Sequence, residues 1–510
     1  MVPQLRIDTT PLESIWNTRV FVYTAVAVVL LVVWLVKPSS QSDNLQDIPF
    51  YKASKRKWIF DAETLIKDSY HKFQDKVYQI KATEGIQVIL PSKFVGELKG
   101  LPEDILSATE AVADALQSKY TNFRPDHNGE LISLLVRTRL TQNLAQLVPQ
   151  LKGELEFIMA SEFPACDDWT AVKWQPFSLR AITRMGGLAF VGPNINRREE
   201  WMDVSINFAI HLFMALIKLQ CFPEWARPVG QYLVSDLRKM RNDIKIAKKM
   251  LQPIIEERIQ DMECASFQQP PNDLMQWLIE SLPQEEKADI QTHAELQLIM
   301  AAASIHTTNS LLFECLSDLA ANPDVQAELR EEAYQVLEVE GGWERKDSMA
   351  KLKKLDSFMR EVQRLRGNIT SFIRKVMKPI SLSDGTHLPA GTKVLAPQAG
   401  IAVDERFFPN PDQFDPFRFY RMRQESAEAS NRWQFTSISD TYINFGAGKH
   451  ACPGRFFAGN EIKLVIAYFV INYDIRLKKG EQRPKPMALV MTKAPNQDTE
   501  FEFKRRSLVA

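Results

Sequence analysis

Apolar positions in this chain recur mostly at helical spacing, with one unbroken apolar run near the start and alternating stretches confined to a few places. Between Val20 and Val36 there is no charged residue, Arg19 and Lys37 bound the run, and Trp16, Tyr23 and Trp34 stand where interfacial anchors would. A helix needs roughly 17 to 25 apolar residues to cross a bilayer, so one membrane span is expected, near the short end of that range. The run is also longer than the apolar core of a cleaved signal. The polar stretch Pro38-Ser39-Ser40-Gln41-Ser42-Asp43 follows abruptly, which counts against a buried core helix. Lys37, Lys52, Lys55, Arg56 and Lys57 outnumber the basic residues before the span, placing the rest of the chain on the cytosolic side. The expected organisation is a short lumenal N-terminus over 1–19, a transmembrane anchor over 20–36, a linker over 37–47 and one large domain over 48–510. Such a chain is a single-pass protein of the endoplasmic reticulum membrane.

From Lys52 to Pro223 the pattern is mostly helical, interrupted by a β-like run at Gly85-Ile86-Gln87-Val88-Ile89-Leu90 that Pro91 closes. Phe208 to Leu219 reads as an apolar helix. It leads into Cys221-Phe222-Pro223-Glu224-Trp225-Ala226-Arg227-Pro228, a proline-bracketed loop read as a second membrane contact, although such a stripe is more often core. A long helix is predicted around Leu296 to Ser310, with Leu296, Met300, Ala303, Thr307, Ser310 and Glu314 on one face. Ser371 to Pro397 alternates and turns at Asp384-Gly385 and Pro389-Ala390-Gly391, giving hairpins of a small sheet. A last helix runs from Pro453 toward Tyr473, and Lys485 to Phe503 reads as a closing hairpin with Met487-Ala488-Leu489 as a candidate substrate contact. The class is mainly α with a smaller β region.

Composition narrows the function. The 63 basic and 63 acidic residues cancel, which argues against nucleic-acid binding driven by bulk charge. Five cysteines, scattered without a CxxC pair, fit a reducing compartment and neither a disulfide framework nor a zinc cluster. No linker-like stretch follows the N-terminus, so one large domain is expected despite the length.

The chemistry concentrates in Tyr442-Ile443-Asn444-Phe445-Gly446-Ala447-Gly448-Lys449-His450-Ala451-Cys452-Pro453-Gly454-Arg455. Gly446 and Gly448 permit backbone conformations closed to other residues, and Pro453 suits a first helical turn. Cys452 therefore stands at a helix N-terminus with Lys449, His450 and Arg455 nearby, a setting expected to lower a thiol's pKa. Three readings fit: a buried structural cysteine, a nucleophile assisted by His450, and an axial ligand to heme iron.

Phe445, Gly448, Cys452 and Gly454 stand at the spacing of the cytochrome P450 heme-binding signature, with His450 where that family carries Arg or His. The chain resembles the cytochrome P450 family. The resemblance implies heme b ligated by Cys452 within a P450 fold, with Phe445, Gly448, His450 and Gly454 lining the cofactor and His450 and Arg374 holding propionates. It aligns Ala303-Ser304-Ile305-His306-Thr307-Thr308 with the oxygen-activation motif, where Ser304 replaces a glycine and His306 an acid. Thr307, bonding back to the Ala303 carbonyl, and His306 or a water would then manage protons. It makes Glu361, Arg364 and Arg418 a buried charge cluster that holds the cysteine loop. The family's Trp-x-x-x-Arg propionate contact is absent, with Arg137 or Arg139 as substitutes. The Ala-x-x-His-Thr-Thr spelling is similar to fungal monooxygenases of secondary metabolism, including those that oxidise diterpenes. The implied function is monooxygenation of a lipophilic, terpenoid-type small molecule. The chain carries no dinucleotide fingerprint, so electrons from NADPH must arrive through a partner, which the resemblance makes a membrane-bound NADPH-cytochrome P450 reductase docking near Lys449 and Arg455. A monomer is expected. A reductase-independent heme-thiolate isomerase or dehydratase is the alternative, against which Thr307 counts, as is a non-catalytic heme sensor, against which the anchor and the Ala303 to Thr308 dent count.

Overall fold

The computed structural model describes residues 45–82, 85–123, 127–264, 269–489 and 491–507. The expected anchor over 20–36, and the linker as far as residue 44, lie outside the described residues. From Leu45 onward the chain is tied to the domain, because the buried Gln79 side chain donates from Nε2 to the carbonyls of Leu45 and Ile48 at 2.7 and 2.6 Å.

Helices dominate: α1 (Ala62–Phe73), α2 (Ser92–Leu98), α3 (Leu144–Glu162), α4 (Trp174–Val191), α5 (Glu199–Gln220), α6 (Ser235–Glu263), α7 (Ile290–Ala321), α8 (Lys353–Arg366) and α9 (Arg455–Asn472) are the principal ones. The strands are β1 (Phe50–Tyr51), β2 (Tyr78–Ala82), β3 (Gly85–Ile89), β4 (Leu106–Ser107), β5 (Thr170–Lys173), β6 (Ser371–Val376), β7 (Ile380–Ser381), β8 (His387–Leu388), β9 (Lys393–Ala396), β10 (Tyr473–Arg476), β11 (Met487–Leu489), β12 (Thr492–Ala494) and β13 (Glu500–Arg505). They form a six-stranded sheet in the order β1-β2-β3-β9-β6-β4, a three-stranded sheet β10-β13-β5, and two small hairpins. The expected hairpins between Ser371 and Pro397 are present as β6 with β9 and β7 with β8, the latter turning at Gly385 with φ of 87°.

The tail departs from its expected shape. Only β11 and β12 make a hairpin, while β13 leaves to pair with β10 and β5. Its alternation explains the departure, since Phe501 and Phe503 are buried and Phe503 stacks on Trp174 with ring centroids 5.8 Å apart. Met487 is more exposed than buried.

Helix α7 is the beam of the core, packing against α4, α5, α6, α8 and α9. Asp289 caps its start by accepting from the Gln291 amide at 3.0 Å, and Asn322-Pro323 ends it. Helix α5 contains the apolar segment expected over Phe208 to Leu219. Among the described residues it alone is long and apolar enough to cross a membrane, but half of that window is buried in the protein. It is a core helix whose outer row, Ile210, Phe213, Met214 and Ile217, remains exposed.

One buried carboxylate ties the helical core to the cysteine loop's surroundings. Glu361, on α8, accepts from Arg364 Nε and Nη2 at 2.8 Å each and from Arg418 Nε at 3.2 Å. The Asp415 amide donates to it at 3.1 Å. The guanidiniums spend their remaining donors on carbonyls: Arg364 on Ala402 and Pro411, Arg418 on Pro409, Asn410 and Gln413. Every charge is paired, so the cluster avoids the desolvation penalty of an isolated ion. Glu361→Ala should therefore lower the free energy of urea unfolding by about 3–5 kcal/mol, the usual effect of stranding buried charges, whereas a solvated pair would shift it by less than about 1 kcal/mol.

Candidate active site

The segment before α9 is shaped by its glycines and by α8. Gly448 has φ of 66°, and a Cβ there would lie 2.4 Å from the Lys99 carbonyl just beyond α2, so no larger residue fits without moving that chain. The Cys452 amide donates to the Phe445 carbonyl at 2.7 Å and the Gly446 amide to Ile443 at 2.8 Å, closing the loop on itself. Outside contacts then hold it. Tyr442 Oη donates to Gln363 Oε1 at 2.6 Å, the Ile443 amide donates to Gln398 Oε1 at 3.0 Å, and Asn368 Nδ2 donates to the Asn444 carbonyl at 2.8 Å. Phe445 meets Phe435 edge-on at 5.3 Å.

Cys452 lies two residues before the Gly454 cap of α9, with one side of its side chain accessible and the sulfur otherwise crowded by the surrounding chain. The amides of Gly454 and Arg455 point at the sulfur, and Arg455 Nη1 donates to the Cys452 carbonyl at 2.8 Å. The expectation of a thiol acidified by the helix terminus is corrected here. Burial under the surrounding chain pushes the Cys452 thiol up, and the two amides and Arg455 offset this only in part. A nucleophile would also need a base, yet His450 Nε2 lies 2.6 Å from Glu103 Oε1. Coordination to a metal, which deprotonates a thiol outright, does not need a low intrinsic pKa.

Glu103 belongs to the site and had no signal in the sequence beyond preceding the Ser107 cap. Burial pushes its carboxyl up, but hydrogen bonds from Ser107 Oγ and the Ala108 and Thr109 amides, with the His450 charge, bring it down to about 2. His450 itself is pulled down, first by burial and then by Arg374 and Lys449, with Glu103 opposing.

Arg374 reaches the loop because β6 carries an irregularity between Ser371 and Arg374, with Phe372 at φ of 52°. Its guanidinium is buried, lies 4.4 Å over the Phe372 ring, and donates to the Ile373 carbonyl at 2.8 Å and the Ala447 carbonyl at 3.4 Å. Burial lowers its pKa to about 10, Glu103 opposing. Two carbonyls leave most of its five donors unused, an arrangement suited to an incoming anion. The arginine pair from the sequence separates. Arg139 is in an ion pair with Glu280, whereas Arg137 is exposed, makes no ion pair among the described residues and is close enough to Arg455 to depress its pKa. Both sit in a π-helical turn, Val136–Leu140, whose Val136 faces Gly454. A thiol under two amides, with Arg374 and Arg137 holding spare donors beside it, fits a planar heme carrying two carboxylates.

On α7, Thr307 Oγ1 donates back to the Ala303 carbonyl at 2.7 Å, and both side chains lie on the accessible face of the helix. His306 points elsewhere. Its Nε2 lies 3.2 Å from the Ile206 carbonyl of α5, and burial pushes the imidazole pKa down. With Nε2–H donated there, Nδ1 alone is left to exchange a proton.

Stability should register the Glu103 contacts with a definite sign. Its carboxyl is depressed from 4.5 to about 2, so its contribution is complete above about pH 4.5 and is lost as pH falls toward 2. The difference in unfolding free energy between wild type and Glu103→Gln should accordingly shrink over that window in pH-dependent urea titrations. A difference independent of pH would refute the assignment.

Comparison with known proteins agrees with this geometry. The cytochrome P450 family model matches residues 196–501. The chain is 33% identical over 485 residues to cytochrome P450 monooxygenase braC of Annulohypoxylon truncatum, covering 93% of this chain and 95% of that protein. It is 33% identical to cytochrome P450 monooxygenase AN1598 of Emericella nidulans, covering 86% and 83% of the two chains, and 34% identical to olcJ of Penicillium canescens, covering 86% and 82%. Among solved structures, the retinoic-acid-bound cyanobacterial CYP120A1 superposes with a TM-score of 0.66 over 90% of this chain and 99% of that one, at 16% identity, a likeness of fold. A glycine-shaped cysteine loop on a mainly helical fold, matched along most of its length by fungal monooxygenases, identifies the chain as a member of the cytochrome P450 family and an oxidoreductase of its monooxygenase class.

Proposed function

We propose that this monooxygenase oxidises a lipophilic small molecule of the terpenoid class, drawing electrons from NADPH through a membrane-bound cytochrome P450 reductase. The observation that carries the reading is Thr307 on the accessible face of α7, its Oγ1 donating to the Ala303 carbonyl in a run of small residues. Thiolate-ligated heme, when bound, supplies reductive activation of dioxygen and delivery of one oxygen atom to substrate. The chain's own residues do the remainder. Cys452 provides the ligand, with the amides of Gly454 and Arg455 directed at its sulfur. Arg374 and His450, with Arg137, hold the propionate edge. Thr307 passes protons at its Oγ1 with water as the relay, since His306 turns to α5 and is fixed there through Nε2. Phe445 and Gly454 line the cofactor side of the loop, and Gly448 sets the loop's path against Lys99.

The exposed apolar row of α5 and the neighbouring Trp225 support a second membrane contact besides the 20–36 anchor. A lipophilic substrate would then enter from the bilayer of the endoplasmic reticulum, with the domain cytosolic and monomeric. Exposed Lys449 and the partly exposed Arg455 offer basic groups for an electron-donating partner.

The test is NADPH consumption and product formation by the full chain in vesicles with reductase, across a panel of terpenoids. Consumption should depend on both reductase and a lipophilic compound. Thr307→Ala should cut product formed per NADPH by about tenfold or more, because a positioned proton donor is worth about 10² to 10⁴ in rate. Turnover without reductase would favour the isomerase alternative, and an unchanged Thr307→Ala yield would remove the hydroxyl from the mechanism.

A further inference from the structure

Behind the cysteine loop lies a small cleft of about 140 Å3, between α9 and the segment from Gln434 to Thr436. Its buried lining is charged. Asp356 at the start of α8, Arg423, and Lys463 of α9 meet there, while exposed Ala350 stands at the rim. Asp356 Oδ2 accepts from Arg423 Nη1 at 3.0 Å and from the Phe435 amide at 2.8 Å. Asp356 Oδ1 lies 2.5 Å from Lys463 Nζ, which also donates to the Met349 carbonyl at 3.1 Å. That one carboxylate is therefore shared by two cations.

A third cation lies beside them. Arg360, one turn beyond Asp356 on α8, is fully buried and sits over the Tyr442 ring, and its Nη1 donates to the carbonyls of Gln434 and Ser437. Burial lowers its pKa to about 10, with Arg423 adding to the effect and Tyr442 and Asp356 opposing it. Glu332, on the helix Pro323–Tyr334, is close enough to Lys463 to feel its charge, and its oxygens accept the Lys354 and Leu355 amides at 2.7 and 2.9 Å. Three buried cations thus share two carboxylates, and an excess positive charge away from water is expensive to keep.

The free donors show where compensation would sit. Arg423 has no acceptor at Nε or Nη2 among the described residues, and Nε is shut off from solvent. Those two nitrogens form the edge of a guanidinium that grips an oxyanion through two parallel hydrogen bonds. Arg360 also lacks acceptors at Nε and Nη2, but it is sealed against the Phe419 and Tyr442 rings, so Arg423 is the donor that the cleft offers. Thr436 lines the same cleft.

We propose that this cleft binds a small oxyanion of the phosphate class, held by the Nε–Nη2 edge of Arg423 and by Lys463, with the Thr436 hydroxyl as a further donor. Its occupancy would be felt at the cysteine loop. Arg455 Nε donates to the Thr436 carbonyl at 3.2 Å, and Phe435 is the ring that Phe445 meets edge-on. An anion that draws Arg423, Lys463 and Thr436 together fixes the segment on which that loop leans.

The experiment is hydrogen exchange of the detergent-solubilised full chain with its heme, in sodium phosphate and in sodium chloride at matched pH and ionic strength, read by peptide mass spectrometry. Peptides covering 433–438 and 347–351 should exchange at least about threefold more slowly in phosphate, an effect that saturates by about 10 mM. Phosphate acting as an excluded cosolute would protect every peptide without saturating. Arg423→Gln should abolish the protection. Because that change also strands Asp356, Ala350→Glu serves as a second variant that leaves every buried charge in place. Its carboxylate at the rim should raise the half-saturating phosphate concentration by about tenfold or more. Equal exchange in the two salts would overturn the proposal, as would unsaturable protection of the β2 and β3 peptides to the same extent, or an unchanged phosphate response in Ala350→Glu. Protection by sodium acetate and none by phosphate would overturn the phosphate assignment.

Discussion

A carboxylate buried without water has to be surrounded by donors, and Glu361 is surrounded by two guanidiniums and an amide. That constraint reaches far along the chain. Arg364 carries it to the carbonyls of Ala402 and Pro411, and Arg418 carries it to the turn between Pro409 and Gln413. The same α8 presents Gln363 to Tyr442 and sets Arg360 over the Tyr442 ring at 3.7 Å. A segment with little regular structure of its own is thus positioned by a helix that makes no contribution to the chemistry. The electrostatics is costly to assemble and harder to disassemble, which suits a scaffold for a site that must not move.

The site built on that scaffold has two unequal faces. On the cysteine side, the loop closes on itself through the Cys452 and Gly446 amides, and Gly448 fits against Lys99 with no room for a side chain. On the α7 side, Thr307 bonds back to Ala303 on the accessible face of an unbroken helix. His306 links that turn to α5 through the Ile206 carbonyl, so the helix that carries the exposed apolar row also touches the segment assigned to proton handling.

Much of this was readable from residues alone, where local geometry leaves few options. The cysteine loop announces itself through glycine spacing, the Glu361 and Arg364 pair through helical spacing, and the hairpin at Asp384-Gly385 through its turn residues. What escaped depends on contacts between distant segments. Glu103 meets His450 only because β4 and the cysteine loop converge, and no local pattern marks it. That Arg139 is already committed to an ion pair turns on Glu280, which lies on another helix. The thiol was expected to be acidic from its helix terminus, but burial, a property of the whole fold, outweighs two amides. The tail was read as one hairpin because its alternation continues past β12, and the aromatic cluster around Trp174 decided where β13 went.

The most direct test of the account is the absorption spectrum of the reduced, membrane-solubilised protein with and without carbon monoxide, for wild type and Cys452→Ala. A strongly red-shifted Soret band in wild type that disappears in the variant is the expected result, because only thiolate ligation from Cys452 produces it. Wild type that binds no heme, or binds it with a histidine-type spectrum, or a variant that keeps the red-shifted band, would contradict the assignment of Cys452 as the iron ligand.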